Sequence, residues 1–307
     1  MTLTLLGPQR FATTAGATVR ALAADGPVAT VTAGWREREP DDTELDQVLD
    51  GRSLNLALYG RWLDVVAADP DFATAERRYR DQLDELQAAY ALRLDHAMQG
   101  LYAVQRREGD PRVREAATTD ALRAVRALDD WHLATVAEVR DDFTRHWPPN
   151  ERPVVRKHRT AVAGALAHAS VLVLAGGHVG ALLRCLRLFD VAASATQHLV
   201  AWSAGAMALC ERVVLFHDRA VTGYTHAEAF DAGLGLCRGV VALPHARQRL
   251  LLDDAVRTAL FAQRFAPASC VILDDGVRVP CADHGALPPG TRVLGTDGQI
   301  VTTVEES

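Results

Sequence analysis

Ser203 stands among small residues in Ala201-Trp202-Ser203-Ala204-Gly205-Ala206, after the apolar run His198-Leu199-Val200 and before a helix-like segment over 207–212. A serine at a tight strand-to-helix turn is how α/β hydrolytic enzymes expose a nucleophile. The small neighbours let backbone pass close to the hydroxyl, and the following helix directs its N-terminus at the site. The general pattern is Gly-x-Ser-x-Gly, with Ala201 here in place of the first glycine. The same hexapeptide also suits a plain helix start capped by Ser203, so its chemistry depends on what else reaches the turn.

Serine is a weak nucleophile until a base takes its proton. Histidine titrates near neutrality and can take and return that proton, while a carboxylate holds the imidazole tautomer. Asp218 closes Val213-Val214-Leu215-Phe216-His217, and His245 closes Val241-Ala242-Leu243-Pro244. Both follow strand-like runs, and parallel sheets form their sites outside the carboxyl ends of strands. Glu211, Glu228 and Asp231 are alternative acids, and His217 and His226 are competing bases among 11 histidines. Leu172-Val173-Leu174-Ala175-Gly176-Gly177-His178 reads as a strand ending in a glycine pair. Such a loop can turn the Gly177 N–H toward a carbonyl under attack, with the Ala204 N–H as second donor. It lacks both Gly-x-x-x-x-Gly-Lys-Ser/Thr and Gly-x-Gly-x-x-Gly, which speaks against a nucleotide site.

The elements that must position these residues form an α/β pattern. Strand-like runs fall at 3–6, 28–31, 170–174, 199–202, 213–216, 240–243 and 270–273, with a helix near 18–24 between the first two. Runs of Val, Leu and Ala without polar alternation predict strands buried on both faces, hence a mostly parallel sheet flanked by helices. The tail differs. Runs at 277–279, 292–294 and 300–303, separated by Gly-containing turns, predict a small antiparallel C-terminal edge. From 72 to 147 no strand is legible. Leu83, Leu86, Tyr90, Leu94, Met98, Leu101 and Val104 recur three or four apart, and so do Leu122, Val125, Leu128, His132, Val136, Val139 and Phe143. Gly109-Asp110-Pro111 separates the two series, which predicts a long antiparallel helical hairpin. The expected division is an α/β hydrolytic core over 1–71 and 148–307 with the hairpin inserted over 72–147.

Composition narrows the function classes. The 307 residues are 49% hydrophobic and 23% charged, as in ordinary globular proteins, and the net charge of −6 comes without a basic run to track phosphates. Nucleic acid is therefore not an expected partner. Nor is a membrane, since no window has the length of a spanning helix. The five cysteines, Cys185, Cys210, Cys237, Cys270 and Cys281, form no Cys-x-x-Cys pair. No metal site is expected, and an odd count without a signal peptide fits a reducing cytoplasm.

Taken in order, Ala175-Gly176-Gly177, Trp202-Ser203-Ala204-Gly205-Ala206, Asp218, Leu234-Gly235-Leu236 and Pro244-His245 resemble the peptidase E (aspartyl dipeptidase) and cyanophycinase family of serine peptidases. The likeness covers 3–69 loosely and 170–275 well, and leaves out the hairpin. It implies a class I glutamine amidotransferase-like fold and a cofactor-free hydrolase of peptide or related amide bonds. Ser203 would be its nucleophile, His245 its base and Asp218 the orienting acid, with oxyanion donors Gly177 and Ala204. His178 replaces the family's usual Asn and Ala201 its usual Gly, so His178 and Trp202 belong to the expected substrate wall. Arg247 and Arg249, just after the base, would make it positive. Serine at 203 sets the chain apart from glutamine amidotransferases, which use cysteine there. The alternative is a catalytically inactive scaffold that binds a partner, or forms a homodimer, through the hairpin.

Overall fold

A computed structural model describes residues 2–195, 198–218, 226–282 and 285–304. The main sheet contains β1 (Leu3–Leu6), β2 (Val28–Val31), β3 (Ser53–Asn55), β4 (Val171–Leu174) and β5 (His198–Trp202), all parallel, in the order β1-β5-β4-β2-β3. Along β5, Leu199 and Ala201 enter one apolar cluster while Val200 and Trp202 enter another; Leu172 and Leu174 of β4 alternate with Val171 and Val173 in the same way. Successive side chains point to opposite faces, and both faces are covered. That is why these strands read as unbroken apolar runs. The fold class is the expected one, α/β with a mostly parallel sheet flanked by helices, a long helical insertion and an antiparallel C-terminal part.

Strand partners depart from expectation. The runs at 213–216, 240–243 and 270–273 lie outside the main sheet. β6 (Arg212–Leu215) pairs antiparallel with β7 (Glu228–Ala232), while β8 (Val240–Pro244) and β9 (Ser269–Leu273) are parallel in a second sheet. β7 carries two acids in five residues, so no apolar run announced it. β10 (Arg278–Cys281) was expected with the tail but closes the main sheet antiparallel to β1. Its Pro280, opposite Thr4, is tolerated because an edge strand has a side that needs no N–H. β11 (Arg292–Leu294) and β12 (Ile300–Thr302) form the expected hairpin, attached to β9. An apolar run specifies burial and period but not its neighbour, so partner choice was beyond pattern alone.

The inserted helices span Pro70–Gln105 and Pro111–His146. Each opens with proline behind an aspartate cap. Asp69 accepts from the Phe72 N–H at 3.0 Å and Asp110 from the Arg112 N–H at 2.8 Å. They run antiparallel, with Phe72 packed on Phe143 and Tyr90 stacked on His132 at 4.1 Å between ring centres. The hairpin is held to the body by a buried ionic group. Arg264, from the helix Ala255–Phe265, grips Asp129 through two hydrogen bonds of 2.7 Å, and Tyr90 Oη donates to the same carboxylate at 2.7 Å. Arg264 also donates to the Ala227 carbonyl, and the Ala229 N–H donates to Tyr90 Oη. Burial and the neighbouring carboxylate push the Tyr90 hydroxyl well above the usual tyrosine range, so it stays a donor.

Candidate active site

The chain leaves β5 through Ser203 at φ 50°, ψ −122° and enters the helix Ala204–Leu209. A non-glycine residue there is strained by about 1–3 kcal/mol and persists only where its surroundings over-determine it. Those surroundings are close backbone. A Cβ on Gly205 would lie 2.2 Å from the Leu174 carbonyl oxygen, and one on Gly176 would lie 2.9 Å from Ser203 Cβ. The small residues read from sequence are therefore steric requirements, and the glycine loop after β4 sits directly against the serine side chain. Gly205→Ala is expected to cost about 1–3 kcal/mol through overpacking and to displace the turn. Urea unfolding together with covalent labelling of Ser203 checks it; an unchanged midpoint with full labelling would contradict the packing described here.

Sequence reasoning missed the third wall. The loop after β2 runs Thr32-Ala33-Gly34-Trp35-Arg36, and the His178 N–H donates to the Gly34 carbonyl at 2.7 Å. Gly34 and Gly177 are so close that a Cβ on Gly177 (φ +118°) would lie 2.4 Å from Gly34. Arg36, at φ 59°, ψ −124°, repeats the backbone conformation of Ser203. The signal was present in the sequence: 28–34, like 171–177, is an apolar strand ending in small residues.

His245 follows β8 at φ 58°, ψ 34° and is half-buried. A chain of contacts links its loop to the elements around Ser203. The His245 N–H donates to the Leu273 carbonyl at the end of β9. The Asp274 carbonyl packs on Gly7, and the Gly7 N–H donates to Val277. Gly7 ends β1, whose Leu6 pairs in register with Trp202. The helix Ala204–Leu209 also packs on β8. No hydrogen bond joins Ser203 to His245 among the described residues. Burial holds the His245 imidazole below the ordinary histidine range, and Arg249 lowers it further; Asp275 and Asp274 oppose both.

Asp218 is placed differently from the sequence-based expectation. One carboxylate oxygen accepts from Arg257 Nη2 at 2.9 Å and the other from the Leu251 N–H at 3.0 Å. Asp274 and Asp275, at the end of β9, are the carboxylates whose charge opposes the lowering of the His245 titration. Asp274 is buried; its Oδ1 accepts from the Arg247 N–H at 3.0 Å, and Arg247 Nε lies 3.3 Å from Oδ2 without hydrogen-bond geometry. The alternative acids are occupied too. Glu211 accepts from the Gly239 N–H, Glu228 from Gln87, and Asp231 from Arg140 and Arg187. Of the competing bases, His226 lies 3.5 Å from Asp95, and His217 is exposed.

The expected substrate wall divides. Trp202 is buried in the core with Leu6 and Val200, beneath Gly176, where it braces the turn. His178 is exposed and caps the helix Val179–Leu188, its Nδ1 accepting from the Ala181 N–H at 3.1 Å. Arg247 is exposed beside Asp274, and Arg249 is half-buried beside His245. Gly177 and Ala204 make no loop or turn hydrogen bond through their N–H groups among the described residues, which leaves both donors open. All five cysteines are buried free thiols. No group of three or more His, Cys, Asp or Glu among the described residues is arranged to hold a metal, and no helix there is long and apolar enough to cross a membrane.

No protein-family model matches the chain, and no curated protein does. Among solved structures the chain is similar to the crystal structure of a peptidase from an acI-B1 Actinobacterium. The two are 11% identical with a TM-score of 0.46, and the match covers 96% of this chain and 91% of that one.

Proposed function

We propose that the protein is a serine hydrolase that cleaves small peptides or related amides through an acyl-enzyme. The observation that carries this reading is the backbone of Ser203, held in a strained elbow against Gly176 at the carboxyl rim of the sheet. In this reading Ser203 Oγ attacks the scissile carbonyl carbon and its proton passes to His245. The oxyanion is met by the Gly177 and Ala204 N–H groups. Collapse breaks the C–N bond, the amine leaves with the proton from His245, and a water deprotonated by the same imidazole releases the acid. Asp275 and Asp274 supply the negative charge that stabilises the imidazolium, a role the sequence had pointed to Asp218 for. Incubation with a fluorophosphonate tests the reading: covalent labelling of the wild type at Ser203 is expected, and an unlabelled wild type overturns it.

The depressed His245 titration fixes the pH dependence. The base must be neutral to accept a proton, and its proton is lost at lower pH than for an ordinary histidine. The acid limb of kcat/KM therefore lies below about pH 6.5, with full activity above it. Arg249→Gln removes a cation that disfavours the imidazolium, so the limb moves to higher pH. A limb at the ordinary position, or one that Arg249→Gln leaves in place, contradicts the assignment of His245.

One observation favours the second reading, a binding scaffold. The hairpin exposes Leu92, Val113 and Trp131, large apolar side chains that a single copy leaves in water. Sedimentation of the full chain decides: a dimer abolished by Trp131→Glu, in a protein that no fluorophosphonate labels, replaces the hydrolase reading.

A further inference from the structure

A cavity of about 740 Å³ lies between the hairpin and the α/β body, a size that suits a small organic ligand. Its lining carries seven arginines and five carboxylates, an excess of cations in a chain whose net charge is −6. Four of these arginines are arranged around two buried acids. Glu76 accepts from Trp62 Nε1 at 3.0 Å and lies 3.7 Å from Arg184 Nε and 3.8 Å from Arg80 Nε. Neither Nε has a hydrogen-bond partner, although both atoms are buried. Both guanidiniums lie beside the Trp62 ring, at 4.3 and 5.9 Å from its centre. Asp231 is shared in turn by Arg140 at 2.7 Å and Arg187 at 2.6 Å.

Each buried carboxylate thus faces two arginines and neutralises one. Uncompensated charge and orphaned donors in a part-buried seam cost free energy unless an anion completes them. The two groups also share a plan. Arg80 and Arg140 come from the hairpin helices, while Arg184 and Arg187 stand one turn apart on the helix Val179–Leu188. Every pair joins one guanidinium from the insertion to one from the body.

We propose that this seam binds a small organic polyanion, with one acidic group met by Arg80 and Arg184 and a second by Arg140 and Arg187. Phosphate and carboxylate groups share the required chemistry, since arginine forks match both. The body of the ligand lies against the aromatic wall of Trp62, Phe143 and Phe230. Neither Ser203 nor His245 lines the cavity, although His178 does. Occupancy ties the hairpin to the body.

Calorimetric titration of the full chain carrying Ser203→Ala, at constant ionic strength, tests this. The probes are pyrophosphate and ATP, phthalate and terephthalate, and benzoate and benzamide as singly charged and neutral controls. A polyanionic probe is expected to bind at least about tenfold more tightly than benzoate, and Arg184→Gln and Arg187→Gln each to weaken it about tenfold or more. The stronger of the phosphate and dicarboxylate arms identifies the source. Bound ligand slows amide exchange across 70–146, and Arg123→Gln on the exposed hairpin surface leaves affinity unchanged. Arg77→Gln, at the exposed rim, keeps the test decisive should a buried variant fail to fold: it weakens binding severalfold. Absence of binding by every polyanionic probe, wild-type affinity in both the Arg77 and Arg184 variants, or equal loss in Arg123→Gln overturns the proposal.

Discussion

Ser203→Ala is expected to abolish covalent labelling by a fluorophosphonate and to lower amide hydrolysis by about 10^6, the loss typical when a serine hydrolase loses its nucleophile. The variant keeps a Cβ at the same positive φ, so the elbow and its packing against Gly176 are retained and the melting curve is unchanged. His245→Ala falls to nearly the same residual rate, and the double variant adds little, because nucleophile and base act as one unit. A panel of short peptides with different first residues, followed by product analysis, supplies the substrate for the measurement. Hydrolysis that persists in Ser203→Ala at the wild-type rate would remove the serine from the chemistry altogether.

The second large effect concerns stability. Asp129→Ala leaves the Arg264 guanidinium buried with one of its partners gone, and is expected to cost about 3–5 kcal/mol. Both side chains are almost fully buried, 1% and 4% exposed, so solvent does not screen the loss. Tyr90→Phe, which removes one donor to Asp129 and the acceptor of the Ala229 N–H while the arginine stays bound to Asp129, costs about 1–3 kcal/mol. Asp129→Leu combined with Arg264→Met restores much of the stability, since a buried ion pair and a packed apolar pair differ far less than a pair and a broken pair. Urea unfolding of the three variants checks the ordering. An Asp129→Ala variant no less stable than the double would show that the ionic group does not clamp the hairpin.

How much of this was legible differs between parts of the molecule. The interior strands announced themselves because both faces of the main sheet are apolar: 171–174 and 199–202 carry Val, Leu, Ala and Trp with no polar beat. The hairpin was equally clear, with Tyr90, Leu94, Met98 and Leu101 recurring at helical spacing and buried in one cluster. β7 was invisible because its inward residue Asp231 is charged and is compensated only by Arg140 and Arg187, from two distant helices. The placement of β10 beside β1 was invisible as well, since pairing is a long-range choice among strands of similar composition.

The site divides along the same line. Its residue types and local turn chemistry are properties of short segments. Small residues around Ser203 and the glycine pair at 176–177 are needed wherever backbone crosses a side chain at close range, and that need is written locally. Which acid faces the imidazole is not local. Asp218 stands at a plausible spacing from Ser203, yet its carboxylate is spent on Arg257, while the end of β9 carries Asp274 and Asp275 toward His245 through its parallel pairing with β8. From the amino-acid order alone came the α/β class, the insertion and the elbow serine, because each rests on steric or hydrophobic periodicity within a few turns or one strand. Only the folded chain decided the strand partners, the partners of Asp218 and the arginine-lined seam, because these depend on charges and backbone brought together from segments that lie tens of residues apart.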